Sequence, residues 1–295
     1  MKIVLCNEVL GNKVLGNKVL DGMSFAAQCD FAAALGYDGL ELAPFTLGDE
    51  PHLLGSHARA ELRRAAADAG IEITGLHWLL ITPQGLSITT ADEGRRRRTL
   101  EVMRRLIDLC ASLGGRMLVH GSPAQRQTEG DPDAALRGRD AFAAIAADAE
   151  RAGVTYCIEP LSRQETSFIT TLQEAVEIVE AVASPAVRTM LDCRAARLSE
   201  TATIAELLDR WLPTGMIGHV HVNDRNRRGP GQGGDLFAPV FASLARNHYA
   251  GAVGVEPFVY EPDGPAVAAR SIGYIRGLLE VLAWQRLEPD RAPAP

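Results

Sequence analysis

The chain has 295 residues, 46% of them apolar and 23% charged, enough to bury a sizeable core in one large domain. Thirty basic residues against 37 acidic ones give a formal net charge of -7, which supplies no pull toward phosphate backbones or anionic lipid, so nucleic acid and membrane surfaces are disfavoured as partners. No apolar run approaches the roughly 20 residues a membrane span needs, and Met1 to Asn7 lacks the regions of a signal peptide, so a cytoplasmic protein is expected.

The first apolar run, Lys2 to Asn7, reads as a β-strand. Behind it Val9-Leu10-Gly11-Asn12-Lys13 repeats as Val14-Leu15-Gly16-Asn17-Lys18, followed by Val19-Leu20. A five-residue period is far too short for a solenoid; it lengthens the first βα loop, either as a lid over an active face or as a duplication without a role. Further β-branched runs follow at Gly39 to Ala43, Glu72 to His77, Arg116 to Gly121, Thr155 to Pro160, Arg188 to Cys193, Ile217 to Asn223 and Ala252 to Phe258. Each precedes a helical stretch, the sequence form of a parallel sheet with crossover helices. Apolar residues at helical spacing (Leu100, Met103, Leu106, Ile107, Cys110; Leu172, Val176, Ile178, Val179) support the helices, and Gly36, Gly70, Gly114 and Gly153 stand where C-caps stop them. The basic run Arg95 to Arg98 opens the third helix and reads as a solvated face. Eight βα units predict a single (β/α)8 TIM barrel over 1–285, with a polar, Pro-rich flexible tail at 286–295. An open doubly wound sheet is the structural alternative, but no G-x-G-x-x-G follows the first strand.

Five cysteines (Cys6, Cys29, Cys110, Cys157, Cys193) without C-x-x-C pairs read as reduced, buried thiols. The acids and histidines are more informative. In a barrel the functional groups gather at the C-terminal ends of the strands. Four consecutive strands end in Glu159-Pro160, Asp192-Cys193, His219-Val220-His221 and Glu256-Pro257. Any one of these acids or histidines alone reads equally well as a structural hydrogen-bonder. Together, carboxylates closing apolar strands need a cation, a hydrogen-bond network or a raised pKa, and one shared divalent metal meets that need. Glu159, Asp192, His221 and Glu256 form an oxygen-rich set with one imidazole, suited to Mn2+ or Mg2+, with Co2+ or Zn2+ as further candidates. His219 shares the strand face of His221 one layer deeper, as a core or supporting residue. His77 and His120, at the ends of the third and fourth strands, are expected either to face the same cavity as substrate contacts or to be satisfied structural histidines.

These segments resemble the xylose isomerase-like sugar isomerases and epimerases, in particular the D-tagatose, D-psicose (allulose) and L-ribulose 3-epimerases. Glu159-Pro160-Leu161-Ser162-Arg163-Gln164-Glu165-Thr166 matches their E-P-L-x-R-x-E-T segment, Met190-Leu191-Asp192 their M-L-D, Gly218 to His221 with Asn226 to Gly233 their G-H-x-H and N-R-R-x-P-G-x-G, and Glu256-Pro257-Phe258 their E-P-F. The resemblance implies a xylose isomerase-like barrel, the same four metal ligands, substrate contacts at Glu165, Arg227 and Phe258, and Glu159 and Glu256 as the two proton-handling residues. It covers the second half of the chain well and the first half loosely, through Gly39-Leu40-Glu41. One departure stands out: where the family has a substrate-holding histidine three residues after the ligand aspartate, this chain has Ala195.

The implied activity is epimerisation or isomerisation of a ketose, by removal of a proton beside the carbonyl to give an enediolate whose negative oxygens need a cation. Two working bases predict epimerisation; one predicts proton transfer between C1 and C2, hence aldose-ketose isomerisation. Ala195 keeps a dehydratase or lyase for keto-sugars or keto-inositols open as an alternative. A non-catalytic sugar-binding barrel and an abasic-site endonuclease are weaker ones, the latter lacking further metal ligands and a basic groove. The loop Arg225 to Gly233 is basic and Gly-rich, and suits either free sugar hydroxyls, as the resemblance implies, or a sugar phosphate. The expected partner is a small-molecule sugar, with a homo-oligomer, dimer or tetramer, left open.

Overall fold

The structure is a computed structural model that describes residues 1–11 and 22–287. Eight strands, β1 (Lys2–Cys6), β2 (Gly39–Leu42), β3 (Glu72–Leu76), β4 (Met117–His120), β5 (Thr155–Ile158), β6 (Val187–Asp192), β7 (Ile217–Val222) and β8 (Ala252–Val255), pair in parallel in chain order. The pairing of Lys2 with Ala252 and Leu5 with Val255 closes the sheet into a barrel, as expected from eight βα units. Around it run α1 (Phe25–Leu35), α2 (Ser56–Asp68), α3 (Glu93–Ser112), α4 (Ala134–Ala152), α5 (Leu172–Val182), α6 (Cys193–Ser199), α7 (Ile204–Trp211), α8 (Ala238–Arg246) and α9 (Gly264–Leu287). Two helices, α6 and α7, follow β6, where the sequence suggested one. Most of the repeated Val-Leu-Gly-Asn-Lys segment and nearly all of the 286–295 tail lie outside the described residues.

The helix ends obey local chemistry. Thr171 and Thr203 each form a capping box with the glutamate three residues on, and Gly36, Gly70, Gly114 and Gly153 all hold a positive φ at or just past a helix C-terminus. Arg95 to Arg98 lie in the first two turns of α3, as predicted.

Period-two alternation decides what faces the barrel interior. Tyr156 and Ile158 of β5, Val220 and Val222 of β7, and Val253 and Val255 of β8 pack into the large core between sheet and helices. Val119, Cys157 and Met190 form a separate small cluster, with Met117 against it. Residues two steps beyond the latter set, Gly121, Glu159 and Asp192, therefore emerge inward at the C-terminal mouth. The sheet register shifts between Leu40 and Glu41 and between Thr189 and Met190, each just before an inward acid.

Candidate active site

At that mouth Glu159, Asp192, His221 and Glu256 each offer a ligand atom within 4.8 Å of the others, and all four are buried. Two glycines make the room. A Cβ on Gly121 would stand 1.6 Å from Glu159 Oε2, and one on Gly254 would stand 2.6 Å from His221 Cδ2. Asp192 is held at both oxygens: Oδ1 caps α6 by accepting from the Ala195 N–H at 2.7 Å, and Oδ2 accepts from Asn223 Nδ2 at 2.7 Å. Asn223 also donates to the Glu256 carbonyl at 3.1 Å, tying the ends of β6, β7 and β8 together.

Burial and the mutual repulsion of neighbouring acids set the electrostatics of the cluster. Burial, then Glu256 and Asp192, push the Glu159 carboxyl well above the usual range, and burial, then Glu256, push Asp192 up to about 6. Three carboxylates facing one another in a dry site, with one imidazole, are the donor set of an oxygen-preferring divalent ion. The residues fit such an ion.

Below them lies a supporting layer supplied by the first strands. Glu41 of β2 contacts His221 Nε2 through Oε1 at 3.1 Å and His219 Nε2 through Oε2 at 2.8 Å. Burial works to raise its pKa, but His219 and His221 outweigh it and hold Glu41 well below the carboxylate range, so it is an anion. The other ring nitrogen of His221, Nδ1, lies 3.1 Å from Glu256 Oε2 on the side of the cluster. His219 thus supports rather than joins the four. Glu8, in the one-turn helix Asn7–Val9 after β1, contacts His77 Nε2 at 2.9 Å, and that nitrogen lies 3.9 Å from Glu256 Oε1. Burial disfavours a charged His77, yet Cys6 and Glu8 overcome it and raise its pKa well above the ordinary value. Neither Glu8 nor Glu41 was singled out from the sequence as a site residue.

The residues expected to hold a sugar divide four ways, His120 being the last. His77 lies beside Glu256, as above. Arg227 and Phe258 come together above the mouth: the Arg227 guanidinium lies 5.7 Å from the Phe258 ring, and the Arg227 carbonyl accepts from Phe258 N–H at 2.7 Å. Arg227 holds a φ of 69°, a left-handed conformation that fixes the turn. Trp78 packs at a tilt against Phe258 at 5.6 Å and Phe45 at 5.8 Å, extending one aromatic wall that the sequence did not reveal. Glu165 faces the rim, where Ser162 Oγ donates to Oε2 at 2.5 Å and Arg194 Nη1 to Oε1 at 3.1 Å.

His120 departs from the expectation of a substrate contact. It follows the inward Val119, so alternation turns it outward, where Nδ1 pairs with Tyr156 Oη at 2.8 Å and the ring packs edge-on against Phe142 at 5.1 Å. Burial, then Arg126, lowers its pKa to about 3, which keeps it neutral. It braces the wall between β4 and α4.

Comparison with known proteins agrees with this fold. A family model described as a xylose isomerase-like TIM barrel matches residues 29–278. The chain is 30% identical over 233 residues to the D-psicose 3-epimerase of Ruminiclostridium cellulolyticum, covering 77% of this chain and 76% of that one. It is 25% identical over 245 residues to a probable ketose 3-epimerase of Synechocystis sp., covering 80% and 79% respectively. A solved L-ribulose 3-epimerase superposes with a TM-score of 0.78 over 100% of this chain and 99% of the other at 21% identity, a likeness of fold. Among the described residues no helix is long and apolar enough to cross a membrane.

Proposed function

Because the chain belongs to the xylose isomerase-like TIM barrel family, with epimerases among its relatives, we propose that it is a divalent-metal-dependent ketose epimerase. The observation that carries the reading is the buried convergence of Glu159, Asp192, His221 and Glu256 at the barrel's C-terminal mouth. These four would hold Mn2+ or Mg2+, whose charge offsets that of a sugar oxygen as the neighbouring carbon loses its proton. Glu159 and Glu256 handle that proton: one takes it from the carbon beside the carbonyl, leaving the electron pair as an enediolate, and the other returns a proton to the opposite face. Glu41 keeps His221 turned to the cluster. Arg227, Phe258 and Trp78 close over the sugar, excluding water from the carbanionic intermediate.

Glu159→Gln and Glu256→Gln keep the shape and remove the base. Each is expected to lower deuterium uptake by a matched ketose in D2O by about a thousand-fold. Wild-type uptake in either variant refutes the assignment.

A second reading, elimination of water from a keto-sugar, draws on Ala195. This residue stands where the epimerases place a histidine, and its N–H is committed to Asp192. A lyase would accumulate a dehydrated product that absorbs in the ultraviolet; an epimerase conserves mass.

A further inference from the structure

Arg126 ends the turn Ala124–Arg126 that follows β4, and its side chain is 0% exposed. Among the described residues none of its Nε, Nη1 and Nη2 atoms has a hydrogen-bond acceptor. A buried guanidinium with unpaired N–H groups loses several kcal/mol relative to water, and such a group is retained where something else pairs it. The charges acting on it most strongly are Glu159, then Glu165. Its loop is pinned to theirs: Gln127 Nε2 donates to the Glu165 carbonyl at 2.8 Å, and the Thr128 and Ser167 hydroxyls meet at 2.7 Å.

Both carboxylates have other work. Glu159 belongs to the ligand cluster, and Glu165 is taken by Ser162 and Arg194. Arg194 carries the same signature in smaller form, since its Nε is also buried without an acceptor. It immediately precedes Ala195, so where the resembling epimerases hold substrate oxygens with an imidazole, this chain sets a guanidinium one residue earlier. The rim between β4 and β6 thus carries donors that lack acceptors alongside the acids Glu159, Glu165 and Asp192.

We infer that Arg126, together with the Arg194 that pairs with Glu165, selects a keto-sugar bearing an oxyanion, a carboxylate or a phosphate, away from its reacting carbons. The planar guanidinium fork matches the paired oxygens of either group, whereas a single hydroxyl leaves most of its N–H groups unpaired. The inference deepens the epimerase reading and rests on it for the rest of the substrate.

The test uses the full chain with Mn2+ and three sugars sharing one ketose head: D-fructose, its C6 carboxylate D-fructuronate, and D-fructose 6-phosphate. Deuterium uptake from D2O and calorimetric binding are measured on each. The wild type is expected to favour one of the two anions over fructose by about 100-fold in kcat/KM, the larger preference naming carboxylate or phosphate. Arg126→Gln brings that ratio to within about threefold of one, and Arg126→Lys gives an intermediate ratio. Equal loss on all three sugars in Arg126→Gln, or a wild type that takes fructose as well as either anion, overturns the inference and leaves the epimerase reading intact. Uptake on none of the three, with anion binding that Arg126→Gln abolishes, sinks the epimerase reading and supports the inference; uptake on none without anion preference sinks both. Arg194→Gln, on a partly exposed side chain, carries the same ratio test should Arg126→Gln fail to fold.

Discussion

The two halves of the barrel contribute to one site in different ways. Strands β5 to β8 deliver Glu159, Asp192, His221 and Glu256, whose ligand atoms face one another. Strands β1 to β3 deliver Glu8, Glu41 and His77, which act on the second-half residues: Glu41 fixes His221 and His219, and Glu8 fixes His77 beside Glu256. On the proposed reading, one half supplies the chemistry and the other its orientation. On that reading, loss of one of the four second-half cluster residues should abolish function, and loss of a first-half residue should weaken it.

The largest effect should come from taking the metal away. Exhaustive chelation is expected to lower turnover by at least about a thousand-fold, with recovery on adding Mn2+. Full activity in the chelated protein breaks the account of the second half. Glu41→Gln comes next. It leaves all four ligands and removes the anion behind His221, so metal affinity measured by titration should weaken about 10- to 100-fold. A loss as deep as that from Asp192→Asn would show that the halves are not divided as described. Phe258→Ala should act mainly on KM, raising it about tenfold through lost apolar contact with the sugar.

The smallest effect is a pH signature. In the metal-free protein Asp192 rises from the ordinary 3.8 to about 6, so the folded state holds its proton more tightly than the unfolded chain. Its stabilising contribution is complete below 3.8 and is lost as pH rises through about 6. A metal that needs the carboxylate reverses this, so the gain in Tm on adding Mn2+ should grow between about pH 5 and pH 7. A constant gain across that range counts against Asp192 as a ligand.

Much of the fold was legible because parallel strands buried on both faces write themselves as short β-branched runs, and all eight were found. Their predicted C-terminal ends ran up to three residues long, as at Phe258 against Val255, because Glu256 and Pro257 leave the ladder while keeping the pattern. The second-half acids were legible because a carboxylate closing an apolar strand is costly without a reason. Glu41 carries the same signal in Gly39-Leu40-Glu41-Leu42, but its role depends on contacts 178 and 180 residues away, with His219 and His221. Glu8 lies just past the strand in a turn, outside any strand-end count. His120 misled because position at a strand end was read without the two-residue alternation that turns it toward Phe142. Arg126 had no signal at all in a loop of small and polar residues; only its burial without partners marks it.

The central claim meets its most direct test in one measurement. The protein is stripped of metal, then incubated in D2O with a panel of ketoses, with and without Mn2+, and the recovered sugars are read by NMR for the position of deuterium. The account predicts deuterium on a carbon beside the carbonyl of a matched ketose, together with its epimer, only when Mn2+ is present. Uptake that is the same without metal, or a metal-loaded protein that labels no member of a panel including charged ketoses, would contradict it.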